Sequence, residues 1–174
     1  MAAINATSES AEGFPPIAGS DACILILGSL PGQRSIAEQQ YYAHPQNVFW
    51  RIMEELLGIN GGYDDRCEQL VKNRIALWDV LQSSLRPGSM DANIRLHSAR
   101  ANDFGTFLSA HSEIRLIAFN GRKAEDLFKK FANIEAAGEF IRRASLPSTS
   151  PAYAALPFSD KLARWRQVLS PEAK

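Results

Sequence analysis

The tightest constraint on the fold is a set of three short apolar runs separated by stretches of helical periodicity. They are CILIL at 23–27, IALWDVL at 75–81 and RLIAFN at 115–120. A short run with no polar alternation buries both faces of a strand, and such strands belong to parallel sheets covered by helices. NVFWRIMEELLG (47–58) sets Phe49, Ile52, Met53, Leu56 and Leu57 at helical spacing, with Asn47 as an N-cap and Gly58 as a stop. GRKAEDLFKKF (121–131) and FSDKLARWRQVL (158–169, capped by Ser159) read as further helices, and FIRRAS (140–145) as a fourth, more polar strand. The predicted class is α/β: a three-layer α/β/α sandwich with a mostly parallel central sheet of about four strands. Residues 1–20, rich in Ala, Ser, Glu, Gly and Pro, read as a flexible N-terminal arm, and 21–174 as a single domain.

Composition removes several classes. With 45% hydrophobic and 22% charged residues, the 174-residue chain is globular rather than disordered or fibrous. No apolar run approaches the ~20 residues that span a bilayer. The first 20 residues carry Glu9 and Glu12 but no Lys or Arg, so a secretory signal is not expected, and the expected place is the cytoplasm. Cys23 and Cys67 have no CxxC partner, and His44, His97 and His111 show no ligand spacing, so no metal is expected. Net charge is zero, yet residues 1–114 hold 8 Lys/Arg against 13 Asp/Glu, and 115–174 hold 11 against 6. That asymmetry permits a positive face for a polyanion, or simply two solvated faces.

Ligands in such folds sit beyond the carboxyl ends of the strands, so the loops there carry the function. After the first strand comes GSLPG, in which Gly28, Pro31 and Gly32 fix a tight turn whose main chain can approach a ligand. Neither a P-loop nor a G-x-G-x-x-G is present, so no nucleotide cofactor is expected. QQYYAHPQNVFW (39–50) offers the aromatic faces of Tyr41 and Tyr42 beside the amide of Asn47, a pairing suited to a flat, polar heteroaromatic ligand. The same residues also serve as core fillers and a helix cap. LPSTSPAY (146–153) is a hydroxyl-rich loop between prolines, with Ser148, Thr149 and Ser150 able to meet phosphate oxygens and Lys161 nearby. Asp79, Asp91, Asn93 and Asn120 also follow strands, as ligand contacts or as loop-stabilising turns.

Five motifs in order, GSLPG, YYAHPQNVFW, LRPGSMD, FNGRKA and LPSTSPA, resemble those of the uracil-DNA glycosylase superfamily across about residues 21 to 169. AHPQNVFW with RPGSMD is similar to the mismatch-specific uracil and thymine branch. GSLPG with LPSTSPA looks closest to the DNA-deoxyinosine (hypoxanthine-DNA) glycosylases. The resemblance implies a monofunctional, cofactor-free enzyme of base excision repair. Such an enzyme flips a deaminated base out of DNA and hydrolyses its N-glycosidic bond, and it is commonly a monomer. It further implies roles for single residues. Asn47 and Ser29 are catalytic. Gly28, Leu30, Pro31, Gly32, Tyr42 and His44 bind the base, with Tyr42 stacking on it. Ser148, Thr149, Ser150, Pro151, Tyr153, Arg86 and Lys161 bind DNA, and a side chain near Tyr153 is the wedge. Two positions depart from the pattern: Leu30 stands where relatives carry Asn or Asp to orient water, and a His of the last loop is replaced near Ser148. Two other readings therefore stay open at this point, a mismatch-preferring uracil enzyme and a non-catalytic binder of damaged or abasic DNA.

Overall fold

The structure is a computed structural model that describes residues 10–134 and 140–170. Its elements in chain order are β1 (Ser10–Glu12), β2 (Ile24–Gly28), α1 (Gln33–Glu38), α2 (Phe49–Leu57), α3 (Tyr63–Lys72), β3 (Ile75–Asp79), β4 (Leu81–Leu85), β5 (Arg100–Ala101), α4 (Phe104–Ala110), β6 (Leu116–Asn120), α5 (Arg122–Phe131), β7 (Arg142–Leu146) and α6 (Phe158–Leu169). Two single-turn 3-10 segments, Asp91–Asn93 and Leu96–Ser98, lie between β4 and β5.

The central sheet has the order β3-β2-β6-β7, and every pairing in it is parallel. All residues of β2, β3 and β6 are buried, as the unbroken apolar runs require. Successive side chains alternate between two cores. Leu25, Leu27, Ala76, Trp78, Ile117 and Phe119 join the helices α4 and α5 on one face. Ile24, Ile26, Ile75, Leu77, Leu116 and Ala118 join α2, α3 and α6 on the other. The result is the expected three-layer α/β/α arrangement. β7 forms the edge, where Arg142 and Arg143 are exposed, and this explains its polar sequence.

Three expectations need correction. First, the apolar run 75–81 is not one strand. It breaks at Val80, whose N–H binds the Gly28 carbonyl, and the chain then enters a second, antiparallel sheet of order β1-β4-β5. Apolar content continues through the bend because Val80 and Leu81 are still buried. Second, of the arm expected at 1–20, residues 1–9 lie outside the described residues, while those from Ser10 onward are built into the fold. β1 pairs with β4, Ile17 bridges Leu77, and the Phe14 ring packs edge-on against Tyr41 at 5.2 Å. Small residues and prolines suit an edge strand and its exit as well as they suit a loose arm. Third, α6 starts at Phe158 behind Pro157, so Ser159 is inside the first turn and does not cap it.

Candidate active site

β2, β3 and β6 end at Gly28, Asp79 and Asn120, and these three residues form the floor of a cavity of about 520 Å³ beyond the carboxyl edge of the sheet. The volume falls within the ~300–1,000 Å³ typical of small-ligand clefts. Its walls come from four segments: the 29–35 turn, the stretch holding Tyr41, Tyr42, His44 and Asn47, residues 89–92, and the loop 148–153. Tyr42, Asn47 and the turn 28–32 thus share one cavity.

Gly28 is needed for steric reasons. A Cβ there would stand 2.5 Å from Asp79 Oδ1 and 2.9 Å from the Tyr42 hydroxyl oxygen, both closer than real contacts allow. A Gly28→Ala chain is therefore expected to lose roughly 1–3 kcal/mol through overpacking, read by chemical denaturation. A stability equal to wild type would show that the floor yields freely.

The turn itself is braced from behind. Arg86, 2% exposed, donates to the carbonyls of Leu30 (3.2 Å), Gly88 (3.1 Å) and Pro31. It holds the main chain of the turn and has no face for a phosphate, which corrects its assignment to DNA. Leu30 is 6% exposed and belongs to the core cluster that also holds Leu27 and Val80, while bordering the cavity. The Ser29 hydroxyl donates to Asp91 Oδ1 at 2.7 Å. Burial pushes the Asp91 carboxyl up, opposed by Ser29, Arg86 and Lys123.

Asn47 combines the two roles that its sequence left open. Its Oδ1 accepts the Phe49 N–H at 2.9 Å, a cap-like bond at the entry of α2. The side-chain NH2 has no partner among the described residues and is left for whatever enters the cavity. Tyr42 lies next to it in a left-handed conformation (φ 55°), which costs of the order of 1–3 kcal/mol for a bulky side chain. One face of its ring packs on Phe49, with centroids 4.3 Å apart. Tyr41, by contrast, belongs to the core: it is 3% exposed, and its hydroxyl donates to the Pro15 carbonyl at 3.0 Å.

The loop 148–153 is tied to the floor by one residue. Thr149 is 1% exposed; its N–H binds Asn120 Oδ1, its hydroxyl receives Asn120 Nδ2 (both 2.9 Å), and its carbonyl takes the Val48 N–H at 3.1 Å. It locks β6, the loop and the entry of α2 together, with its hydroxyl accepting from Asn120 in the cavity wall. Gly121 permits this approach, with φ 95° and the Ser148 Cβ only 3.0 Å from where its own Cβ would be. Lys161 is likewise internal: 5% exposed, with Nζ donating to the Tyr153 carbonyl at 2.6 Å and lying 5.2 Å from the Tyr153 ring centre. It supports the loop from beneath rather than meeting DNA. Ser148, Ser150, Pro151 and Tyr153 remain at the rim, and Tyr153 is 43% exposed.

Of the four polar residues left undecided by sequence, Asp79, Asp91 and Asn120 line the cavity, while Asn93 braces its loop by donating to the Pro87 carbonyl at 3.1 Å. Asp79 went unassigned; a carboxylate inside an otherwise apolar run was its available signal. It is 4% exposed, and its Oδ2 has no hydrogen-bond partner among the described residues. Desolvation first, and then the Asp91 charge, push its pKa up to about 7 against the pull of Arg86. Among the described residues no group of three His, Cys, Asp or Glu could hold a metal ion, and no helix is long and apolar enough to cross a membrane.

Comparisons with known proteins agree with this geometry. Residues 15–169 match the family described as the uracil DNA glycosylase superfamily. Two curated relatives, both named hypoxanthine DNA glycosylase, come from Methanosarcina barkeri and Methanosarcina acetivorans. The first is 42% identical over 118 residues, covering 65% of this chain and 72% of the relative; the second is 44% identical over 115 residues, covering 64% and 72%. A solution NMR structure from Methanosarcina acetivorans, described as a candidate uracil DNA glycosylase, superposes with a TM-score of 0.76 at 36% identity, covering 92% of this chain and 96% of that one. The family match over nearly the whole chain, together with the fold shared with that NMR structure, shows that this chain belongs to the uracil DNA glycosylase superfamily.

Proposed function

We propose that this chain is a monofunctional DNA glycosylase of base excision repair, acting on hypoxanthine first and on uracil second. It extrudes the deaminated base from DNA, hydrolyses its N-glycosidic bond with water and leaves an abasic site. It acts as a cytoplasmic monomer without a metal or organic cofactor. The observation that carries the reading is the single cavity shared by Tyr42, Asn47 and the turn 28–32 at the carboxyl edge of the sheet. The name of the two relatives favours hypoxanthine as the principal base.

Base flipping costs a few kcal/mol, least for a mispaired base, and the pocket must recover that cost by stacking and hydrogen bonds. Tyr42 supplies the stacking through the ring face not occupied by Phe49. As the glycosidic bond breaks, positive charge develops on the sugar and negative charge on the base. The Asn47 NH2 donates to the departing base, and the main chain of the turn 28–32 holds water at the sugar. Ser29 acts by fixing that turn through Asp91. Ser148, Ser150 and Pro151 lie against the strand at the rim, and Tyr153 is the wedge that fills the gap left in the duplex.

The reading of a non-catalytic binder rests on Leu30, whose apolar side chain orients no water. An Asn47 NH2 and an Asp79 carboxylate oxygen, both without a partner among the described residues and in the same cavity, favour chemistry over mere retention. A panel of labelled duplexes, each carrying one deaminated base, tests the activity with protein in excess. Alkali-labile breaks are expected at hypoxanthine and, more slowly, at uracil. Retarded duplexes with every glycosidic bond intact would establish the binder instead. Within that assay, Tyr42→Ala is expected to lower excision at low substrate by the equivalent of about 1–3 kcal/mol of lost stacking. An unchanged rate would remove Tyr42 from the base site.

A further inference from the structure

Asp79 is the residue in the cavity whose position the roles above do not explain. A buried carboxyl with an unbonded oxygen is costly, and a fold that keeps one at the end of a central strand invites a functional reading. Its carboxylate lies over Gly28 in the space a side chain would fill, near a buried Tyr42 hydroxyl that meets no hydrogen-bond partner of ordinary geometry among the described residues and has the Asn120 amide as its neighbour. Both residues line the cavity, and Asp79 Oδ2 keeps its hydrogen-bonding capacity unused among the described residues. Asn102 does not relieve Asp79, because its amide donates to the main-chain carbonyl of that residue at 2.8 Å.

We infer that Asp79 is a further catalytic residue, the general acid that gives its proton to the departing purine. The inference rests on the glycosylase reading and deepens it. In the step, the C1′–N9 bond breaks and its electron pair passes to the base. The Asp79 O–H transfers its proton to a ring nitrogen of hypoxanthine, leaving a carboxylate. Water adds to C1′ and gives up a proton that restores the acid through solvent. The products are an abasic sugar and neutral hypoxanthine, with no oxidant or co-reactant consumed.

The surroundings suit an acid that keeps its proton near neutrality. Asp91 from the 3-10 turn faces Asp79 and resists its ionisation, whereas Arg86 from the loop after β4 favours it. Tyr41 and Tyr42, from the segment after α1, stay neutral because burial and the Asp79 charge both raise them. Lys123 at the start of α5 acts on Asp91. Two carboxyl groups in one cavity are thus differently placed. Asp91 accepts from Ser29 and braces the turn, whereas Asp79 Oδ2 has no partner among the described residues, an arrangement that gives the two carboxyl groups separate roles.

The test is single-turnover release of hypoxanthine from a duplex between pH 6 and 9, for the wild-type chain and Asp79→Asn. The wild-type rate is expected to fall tenfold per pH unit above about 7, and Asp79→Asn to be slower by about 10²–10⁴-fold at pH 6 with no such limb. Equal rates at pH 6, or the same descending limb in the variant, would overturn the inference while leaving the glycosylase reading intact. A wild-type rate independent of pH would overturn it even if the variant did not fold. No hypoxanthine release by the wild-type chain at any pH would sink the glycosylase reading and this inference with it.

Discussion

Asn47→Ala is expected to slow base release by about 10²–10³-fold in single turnover, the usual loss for one donor aimed at developing charge. Affinity for the duplex should change little, because the amide acts on charge that exists only in the transition state. The same substitution removes the acceptor for the Phe49 N–H, so stability should fall by about 1 kcal/mol as for other helix-entry caps. Asn47→Asp separates the two contributions. A carboxylate still accepts from Phe49, which restores stability, but it presents no donor and opposes negative charge on the leaving base. Rate should stay low in Asn47→Asp while the melting temperature recovers. Recovery of both together would show that Asn47 is only a cap.

Asp79→Asn is expected to make the folded chain more stable at neutral and alkaline pH. The folded carboxyl holds its proton up to about 7, whereas the unfolded one has the ordinary value of 3.8. Between those values the folded state binds more protons than the unfolded state, so stability falls as pH rises and levels off above about 7. The full effect is worth up to ~4 kcal/mol. An amide carries no charge to desolvate, so the stability of Asp79→Asn relative to wild type should grow by roughly 2–3 kcal/mol between pH 5 and pH 8. Melting temperatures would move by roughly 2–4 °C per kcal/mol for a domain of this size. Carboxylates such as Asp103, lowered by hydrogen bonds from Thr106, titrate alike in both chains and cancel. A difference that is the same at pH 5 and pH 8 would mean that Asp79 is not held protonated by its surroundings.

The layers of the fold were legible because β2, β3 and β6 are buried on both faces and leave continuous apolar runs. The bend at Val80 was not, since a strand that changes sheets keeps its apolar residues and its break is fixed only by the Gly28 carbonyl that it meets. The second sheet was hidden for a related reason: β1 and β5 are three and two residues long, too short for a period to register. At the site, the sequence placed Tyr42, Asn47 and the turn 28–32 together through the order of their motifs. It took Arg86 and Lys161 for DNA contacts and left the internal bonds of Thr149 unseen, because residue type announces a charge or hydroxyl but not which groups of the fold it meets. Their bonds to Leu30, Tyr153 and Asn120 are contacts between segments distant in sequence in two of the three cases, |i−j| being 56 and 29. Asp79 lay inside the run read as one strand, 75–81, and both its place at the end of β3 and its missing partner are properties of the folded cavity alone.

The central claim is that one extruded base occupies the cavity between Tyr42 and Asn47. A structure of Asn47→Ala bound to a duplex containing hypoxanthine tests it directly, because slow chemistry leaves the substrate whole. The account predicts the hypoxanthine ring inside the cavity, stacked on Tyr42 above Gly28, with Tyr153 at the vacated position in the duplex. A bound duplex with that base still stacked in the helix and the cavity unfilled would contradict it.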